Sequence, residues 1–136
     1  MTREERIEFL LDHSKRRRNR DVLTQPSFAR SGGNPDCSDV ITIYGQVDGD
    51  RLVRVTFDGE GCILSQAGAS ILCEMASGLT LTEAEQLSYD DLFNIIGKDL
   101  AMARIRCATL ALDTLRQALR LYTVRRLLAP EEAMSP

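Results

Sequence analysis

Two runs of alternating apolar and polar residues, Ile41-Thr42-Ile43-Tyr44 leading to Val47 and Val53-Arg54-Val55-Thr56-Phe57, flank Asp48-Gly49-Asp50 and constrain the chain more than any other feature. A period of two is that of half-buried strands, and an Asp-Gly step between two such runs predicts a hairpin. Cys37 and Asp39 stand at its entry, and Asp58-Gly59-Glu60-Gly61-Cys62 at its exit. The two ends of an antiparallel pair lie side by side, so this hairpin brings Cys37, Asp39 and Cys62 together. Cys62 sits where extended chain turns into helix. The neighbouring glycines allow unusual backbone angles, and the unpaired N–H groups of a helix start favour thiolate over thiol. That setting suits a metal ligand or a sulfur nucleophile, although a lone cysteine is more often a small buried residue.

After Cys62, Leu64, Ala67, Ile71 and Met75 recur at helical spacing, with Gly78 as the stop. Cys73 falls among core residues of this helix, which predicts packing rather than chemistry. Thr82 with Glu85 reads as a capping box for a short helix, and Ser88 with Asp91 as the start of another that Gly97 ends. A long amphipathic helix begins near Ala103. It carries Ile105, Ala108, Leu112, Leu115, Leu119 and Tyr122 on one side and Arg116, Arg120, Arg125 and Arg126 largely on the other. Cys107 lies in its first turn, a third thiol near a positive helix end.

At the amino end, Thr2 with Glu5 caps a helix bearing Ile7, Phe9, Leu10 and Leu11. His13 closes it, a residue type more often structural than a metal ligand when alone. Lys15 to Arg20 places five cations in six positions, either a solvated surface or a contact for an acidic partner. Pro26 to Pro35, with Ser31-Gly32-Gly33-Asn34, reads as a flexible loop.

The 136 residues suffice for one domain with its own core, expected over 1–128, with 129–136 as a disordered tail. The 43% apolar and 27% charged shares are those of a soluble protein, no apolar run approaches a membrane span, and the charged start is no signal sequence, so a cytoplasmic address is expected. Four cysteines at that address predict metal-binding or catalytic thiols rather than disulfides. The net charge of −3 argues against nucleic acid as a partner. The fold class expected is α+β, a small antiparallel sheet packed against helices.

Four segments in order resemble the IscU/SufU family of iron–sulfur cluster assembly proteins, also found as the amino-terminal domain of NifU. Leu11-Asp12-His13 with Arg18-Asn19 is similar to the family's Asp-His-Tyr-x-x-Pro-Arg-Asn segment, with Ser14 and Arg17 departing from Tyr and Pro. Asn34-Pro35-Asp36-Cys37-Ser38-Asp39 resembles its Asn-Pro-x-Cys-Gly-Asp loop, and Gly61-Cys62 with Ser65, Ala67 and Ser70 its Gly-Cys-x-x-Ser-x-Ala-x-x-Ser helix start. Arg104 to Leu110 resembles the segment around its third cysteine.

The resemblance implies a three-stranded sheet, Cys37, Cys62 and Cys107 as site thiols, and Asp39 as the nearby carboxylate. Three thiolates and a carboxylate complete a tetrahedral zinc shell, or hold a transient [2Fe-2S] cluster with the carboxylate as the labile ligand. It also implies sulfur arriving as persulfide from a pyridoxal-phosphate cysteine desulfurase, downstream cluster carriers or apo-proteins as acceptors, and a monomer or weak homo-oligomer. Cys37, on a loop after Gly32-Gly33, is the expected persulfide acceptor, with Cys107 as the alternative. Arg106 replaces the His of IscU-type members, and Leu100-Ala101-Met102-Ala103-Arg104 lacks the Leu-Pro-Pro-Val-Lys run that a dedicated chaperone grips. The stretch from Cys73 to Cys107 has no room for the insertion usual in SufU-type members, so SufU-like ligands stand on an IscU-like frame. Two readings from other classes are a structural zinc module without sulfur transfer and a thiol redox protein. The lack of a Cys-x-x-Cys pair weighs against the latter.

Overall fold

A computed structural model describes residues 1–15, 18–34 and 39–128. Helix α1 (Arg3–Lys15) opens with the expected capping box: Glu5 N–H donates to Thr2 Oγ1 at 3.1 Å, and Thr2 N–H donates to Glu5 Oε1 at 3.0 Å. Strands β1 (Phe28–Asn34), β2 (Asp39–Asp48) and β3 (Arg51–Glu60) form one antiparallel sheet in that order. Helices α2 (Ile63–Ala76), α3 (Leu81–Glu85), α4 (Tyr89–Ile96), α5 (Lys98–Ala103) and α6 (Ile105–Leu128) complete the chain. The class is α+β, with α2 and α6 against one face of the sheet. Along β2, Ile41, Ile43 and Gly45 are buried, whereas Thr42, Tyr44 and Gln46 are half-buried on the other face. No helix among the described residues is long and apolar enough to cross a membrane.

Three local expectations are corrected. The segment read as a flexible loop is largely β1, because Asn34 to Phe28 pair with Asp39 to Gly45 and α6 closes against them. Its glycine serves packing there, since a Cβ on Gly32 would lie 2.1 Å from Thr114 Oγ1. The capping box of α3 is Thr80 with Glu83, not Thr82 with Glu85. A bridge to Arg51 holds Thr80 extended, and Leu81 N–H donates to Asp50 O at 2.7 Å, so the helix starts at Leu81. The last helix begins at Ile105 rather than near Ala103, because Arg104 leaves the helical region at φ −142°, ψ 69° and separates α5 from α6. The Ser88–Asp91 box and the stop at Gly97 are as expected. The tail 129–136 lies outside the described residues.

His13 is structural. It is 1% exposed, its ring meets Phe9 edge-on at 4.7 Å, and its Nδ1 lies 2.7 Å from Ser70 Oγ. Ser70 donates its hydroxyl proton to Arg18 O at 3.0 Å, so His13 Nδ1 is the donor to Ser70. Asn19 adds donors to Ser70 O and Oγ, and Arg18 pairs with Asp12 and Glu74. This part of the basic run thus ties α1 to α2, while Arg16 and Arg17 lie outside the described residues. Burial, and next the charge of Arg18, hold the His13 imidazole below its ordinary range. A lowered folded pKa means the unfolded chain takes up the proton first. The contribution of His13 to stability is therefore full above about pH 6.5 and lost as pH falls through the folded value. Urea unfolding midpoints are expected to drop between pH 7 and pH 5 by less in His13→Gln than in the parent, and parallel profiles would refute this role for His13.

Candidate metal and sulfur site

Asp39, Cys62 and Cys107 come from three elements and meet at one end of the molecule. One ligand atom from each lies within 4.8 Å of the other two. The hairpin argument accounts for the first pair, because Val40 pairs with Glu60 and the start of β2 faces the exit of β3. Asp39 is the first inward residue of β2 and only 2% exposed. Cys62 caps α2, and Cys107, 2% exposed, is in the first turn of α6. The break at Arg104 starts that turn on a new axis, so Cys107 opens α6 instead of lying inside one continuous α5–α6 helix.

Asp39 is held by one oxygen against the backbone and turns the other to the Cys62 thiol, which donates to it. Its Oδ1 accepts the Cys62 N–H at 3.0 Å, while Oδ2 lies 3.9 Å from Cys62 Sγ. Cys62 Sγ accepts the Ser65 N–H at 3.5 Å, and Ser65 Oγ donates to Cys62 O at 3.0 Å. Burial, the largest single influence on the Cys62 thiol, pushes it up. The Ser65 N–H, the Cys107 thiol and the Ser65 side chain together outweigh burial and the Asp39 charge, so Cys62 titrates below the ordinary range for a thiol.

The donor set fits zinc. Tetrahedral zinc takes thiolate sulfur at about 2.3 Å and carboxylate oxygen at about 2.0–2.2 Å, which separates its ligand atoms by roughly 3.5–4 Å. The 3.9 Å between Cys62 Sγ and Asp39 Oδ2 is already that separation. These three residues would supply three of four positions. Cys37, the expected fourth, lies outside the described residues, two positions before Asp39 in the chain. Cys73 is apart from the group, fully buried, and burial pushes its thiol far up.

Two further residues shape the site, and the sequence reading gave neither a role in it. A Cβ on Gly61 would lie 2.5 Å from both Asp39 Oδ1 and Ser65 Oγ. Ser65, 1% exposed, closes the site behind Cys62. The signal available was the Gly-x-Gly step ahead of the thiol, read for its backbone freedom and not for the space it leaves. Beside Cys62 a cleft of about 460 Å³ runs between α1, α2 and α5, lined by Ile7, Leu10, Leu11, Ile63, Leu100 and Arg104 among others. Val40, Ile63 and Ile105, each within two residues of a site residue, are exposed around it.

The family model for the NifU-like N-terminal domain matches residues 6–129. An Archaeoglobus fulgidus protein named iron-sulfur cluster assembly scaffold protein IscU 1 is 33% identical over 110 residues, covering 81% of this chain and 71% of its own. The zinc-dependent sulfurtransferase SufU of Bacillus subtilis is 32% identical over 125 residues, covering 79% and 84%. The crystal structure of FiSufU from Fervidobacterium islandicum AW-1 superposes with a TM-score of 0.71 at 29% identity, covering 82% of this chain and 94% of that one. An all-but-complete family match, relatives of one third identity and a shared fold that gathers Asp39, Cys62 and Cys107 place the chain in the NifU-like N-terminal domain family.

Proposed function

We propose that this chain acts in iron–sulfur cluster assembly, accepting persulfide sulfur from a pyridoxal-phosphate cysteine desulfurase and either scaffolding a nascent [2Fe-2S] cluster or relaying the sulfur. The observation that carries it is the meeting of Asp39 with two thiols at an apolar-rimmed end of a chain of this family. Cys37, Cys62 and Cys107 are the proposed thiols, and Asp39 the exchangeable oxygen donor among soft ligands. Bound zinc would keep its cysteine ligands as thiolates at neutral pH. The relatives named as scaffolds and as a zinc-dependent sulfurtransferase support both halves of the reading.

In the transfer step the Cys37 thiolate attacks the outer sulfur of the donor's persulfide. The donor S–S bond breaks, the donor leaves as a thiolate, and Cys37 becomes a persulfide that keeps the proton of the transferred sulfur. No other oxidant or reductant is needed. Cys37, which stands in the sequence between the end of β1 and the start of β2, is the thiol of the three that no described helix start holds, whereas Cys62 and Cys107 are fixed at helix starts. The apolar rim of Val40, Ile63 and Ile105 suits contact with the donor protein.

Incubation of reduced protein with a cysteine desulfurase and cysteine, followed by non-reducing peptide mass spectrometry, tests the reading. Sulfur is expected on the Cys37 peptide. Persulfide on Cys107 of Cys37→Ser at the parent's rate would show that Cys37 is not needed, and no persulfide on any thiol would favour a structural zinc module. Asp39→Ala is expected to keep the fold and retain a reconstituted cluster longer, followed by visible absorbance during transfer to an apo-ferredoxin. Faster loss would show that Asp39 holds the cargo rather than frees it.

A further inference from the structure

The outward side of α6, at the end away from Cys107, is apolar where no described residue covers it. Leu121, Val124, Leu127 and Leu128 are 49% to 80% exposed, whereas Leu115, Ala118, Leu119 and Tyr122 of the same turns are buried in the core. Leu121, Val124 and Leu128 are spaced by three and then four residues, which aligns them in the stripe that a second helix packs along. Leu127 widens it on one side.

The flanks of the stripe decide what can lie on it. With Leu121 and Leu128 at the a positions of a heptad and Val124 at d, Arg120 falls at g and Arg125 at e. Neither guanidinium is ion-paired among the described residues. In a parallel pair of identical chains, g of one helix faces the e position five residues on in the other, which sets Arg120 against Arg125. In an antiparallel pair g faces g and e faces e, which sets each arginine against its own copy. Both arrangements oppose like charges, so a second copy is disfavoured in either direction. A helix with apolar residues at 3–4 spacing and carboxylates beside them matches the stripe and both flanks.

We propose that this end of α6 docks an acidic amphipathic helix of a partner protein, its apolar seam on Leu121, Val124 and Leu128 and its carboxylates on Arg120 and Arg125. The stripe begins roughly 20 Å along α6 from Cys107, at 1.5 Å per residue. A partner held there leaves the thiols and their cleft open, so it is retained while sulfur or cluster is exchanged at the other end.

Fluorescence anisotropy with two synthetic helices tests this. Both carry Leu at a and d, one with Glu and the other with Lys at e and g. The full chain is expected to bind the Glu helix about 4- to 30-fold more tightly, from two gained attractions against two repulsions. Arg120→Glu with Arg125→Glu should invert the preference, and Leu121→Asp with Val124→Asp should abolish binding of both helices. These are surface positions, so zinc content should match the parent in every variant. The proposal is overturned by equal affinity for the two helices or by a preference that survives the charge swap. It is equally overturned by a dimer in sedimentation that Leu121→Asp dissolves, or by vesicles of phosphatidylserine and phosphatidylcholine that bind as tightly as the Glu helix and are released by the same variants.

Discussion

Replacing Cys62 or Cys107 with Ser is expected to lower the affinity of the proposed site for zinc by more than about 100-fold, beyond what loss of an outer-shell partner costs. Cys37→Ser is expected to match them, while Cys73→Ser leaves affinity unchanged. The contrast follows from placement. The Cys62 and Cys107 sulfurs share a space of under 4.8 Å with an Asp39 oxygen, whereas Cys73 is sealed in the core with its thiol held protonated. A serine hydroxyl is neutral at pH 7 and ligates far more weakly than a thiolate. Competition with a chromophoric chelator measures the affinities, and circular dichroism checks that each variant is folded. Equal loss from all four replacements would remove the site assignment, and an unaffected Cys37→Ser would give the fourth position to another donor.

The second large effect comes from a residue with no side chain. Gly61→Ala places a methyl group 2.5 Å from Asp39 Oδ1 and Ser65 Oγ. Both side chains are buried, so neither has room to withdraw. Overpacking of this kind costs about 1–3 kcal/mol, and it also moves the carboxylate off the Cys62 N–H. Zinc affinity should then fall by about 10–100-fold, the cost of disturbing a supporting contact. Gly59→Ala should be worse for the fold and less specific to the site. Its φ is +148° and a Cβ would lie 2.1 Å from Val40 O, so strain and a backbone clash together cost roughly 3 kcal/mol. Gly78→Ala, with φ +93° and open space around it, should lose only about 1 kcal/mol. Urea melts that rank the three equally, or a Gly61→Ala protein with the parent's zinc affinity, would count against this account of the site.

The hairpin and the thiol at its exit were legible because a two-residue period and a helix start are local patterns. Ile41, Ile43, Val55 and Phe57 point into the core as the alternation requires, but a register shift opposite Gln46 and Val47 leaves Val53 exposed and buries Leu52 in its place; Cys62 caps α2 where the glycines end. Strand β1 was not legible from composition. Ser31-Gly32-Gly33 has poor strand propensity, and it becomes a strand because β2 offers it a full ladder and Thr114 of α6 leaves no room for a Cβ at Gly32. The misplaced box at α3 has the same origin. Two threonines stood in sequence, and a long-range bridge from Thr80 to Arg51 decided between them. That Cys107 meets Cys62 was implied by family resemblance alone, since no local pattern joins residues so far apart. The role of Gly61 became visible only once Asp39 and Ser65 were in place around it.

Asp39, Cys62 and Cys107 come from β2, the cap of α2 and the first turn of α6, so no single described element carries this group. A growing polypeptide brings the three together only after α6 has docked, so the group reports on the packing of all three elements. Any protein that recognises the assembled thiols thereby also tests whether α6 is home. Occupancy would then add to stability: an ion at 1,000 times its Kd would favour the folded state over the unfolded one by about 4 kcal/mol. A chain without a bound ion would lack that contribution, and faster proteolysis at the α5–α6 junction of the metal-free protein than of the zinc-loaded one is the expected result.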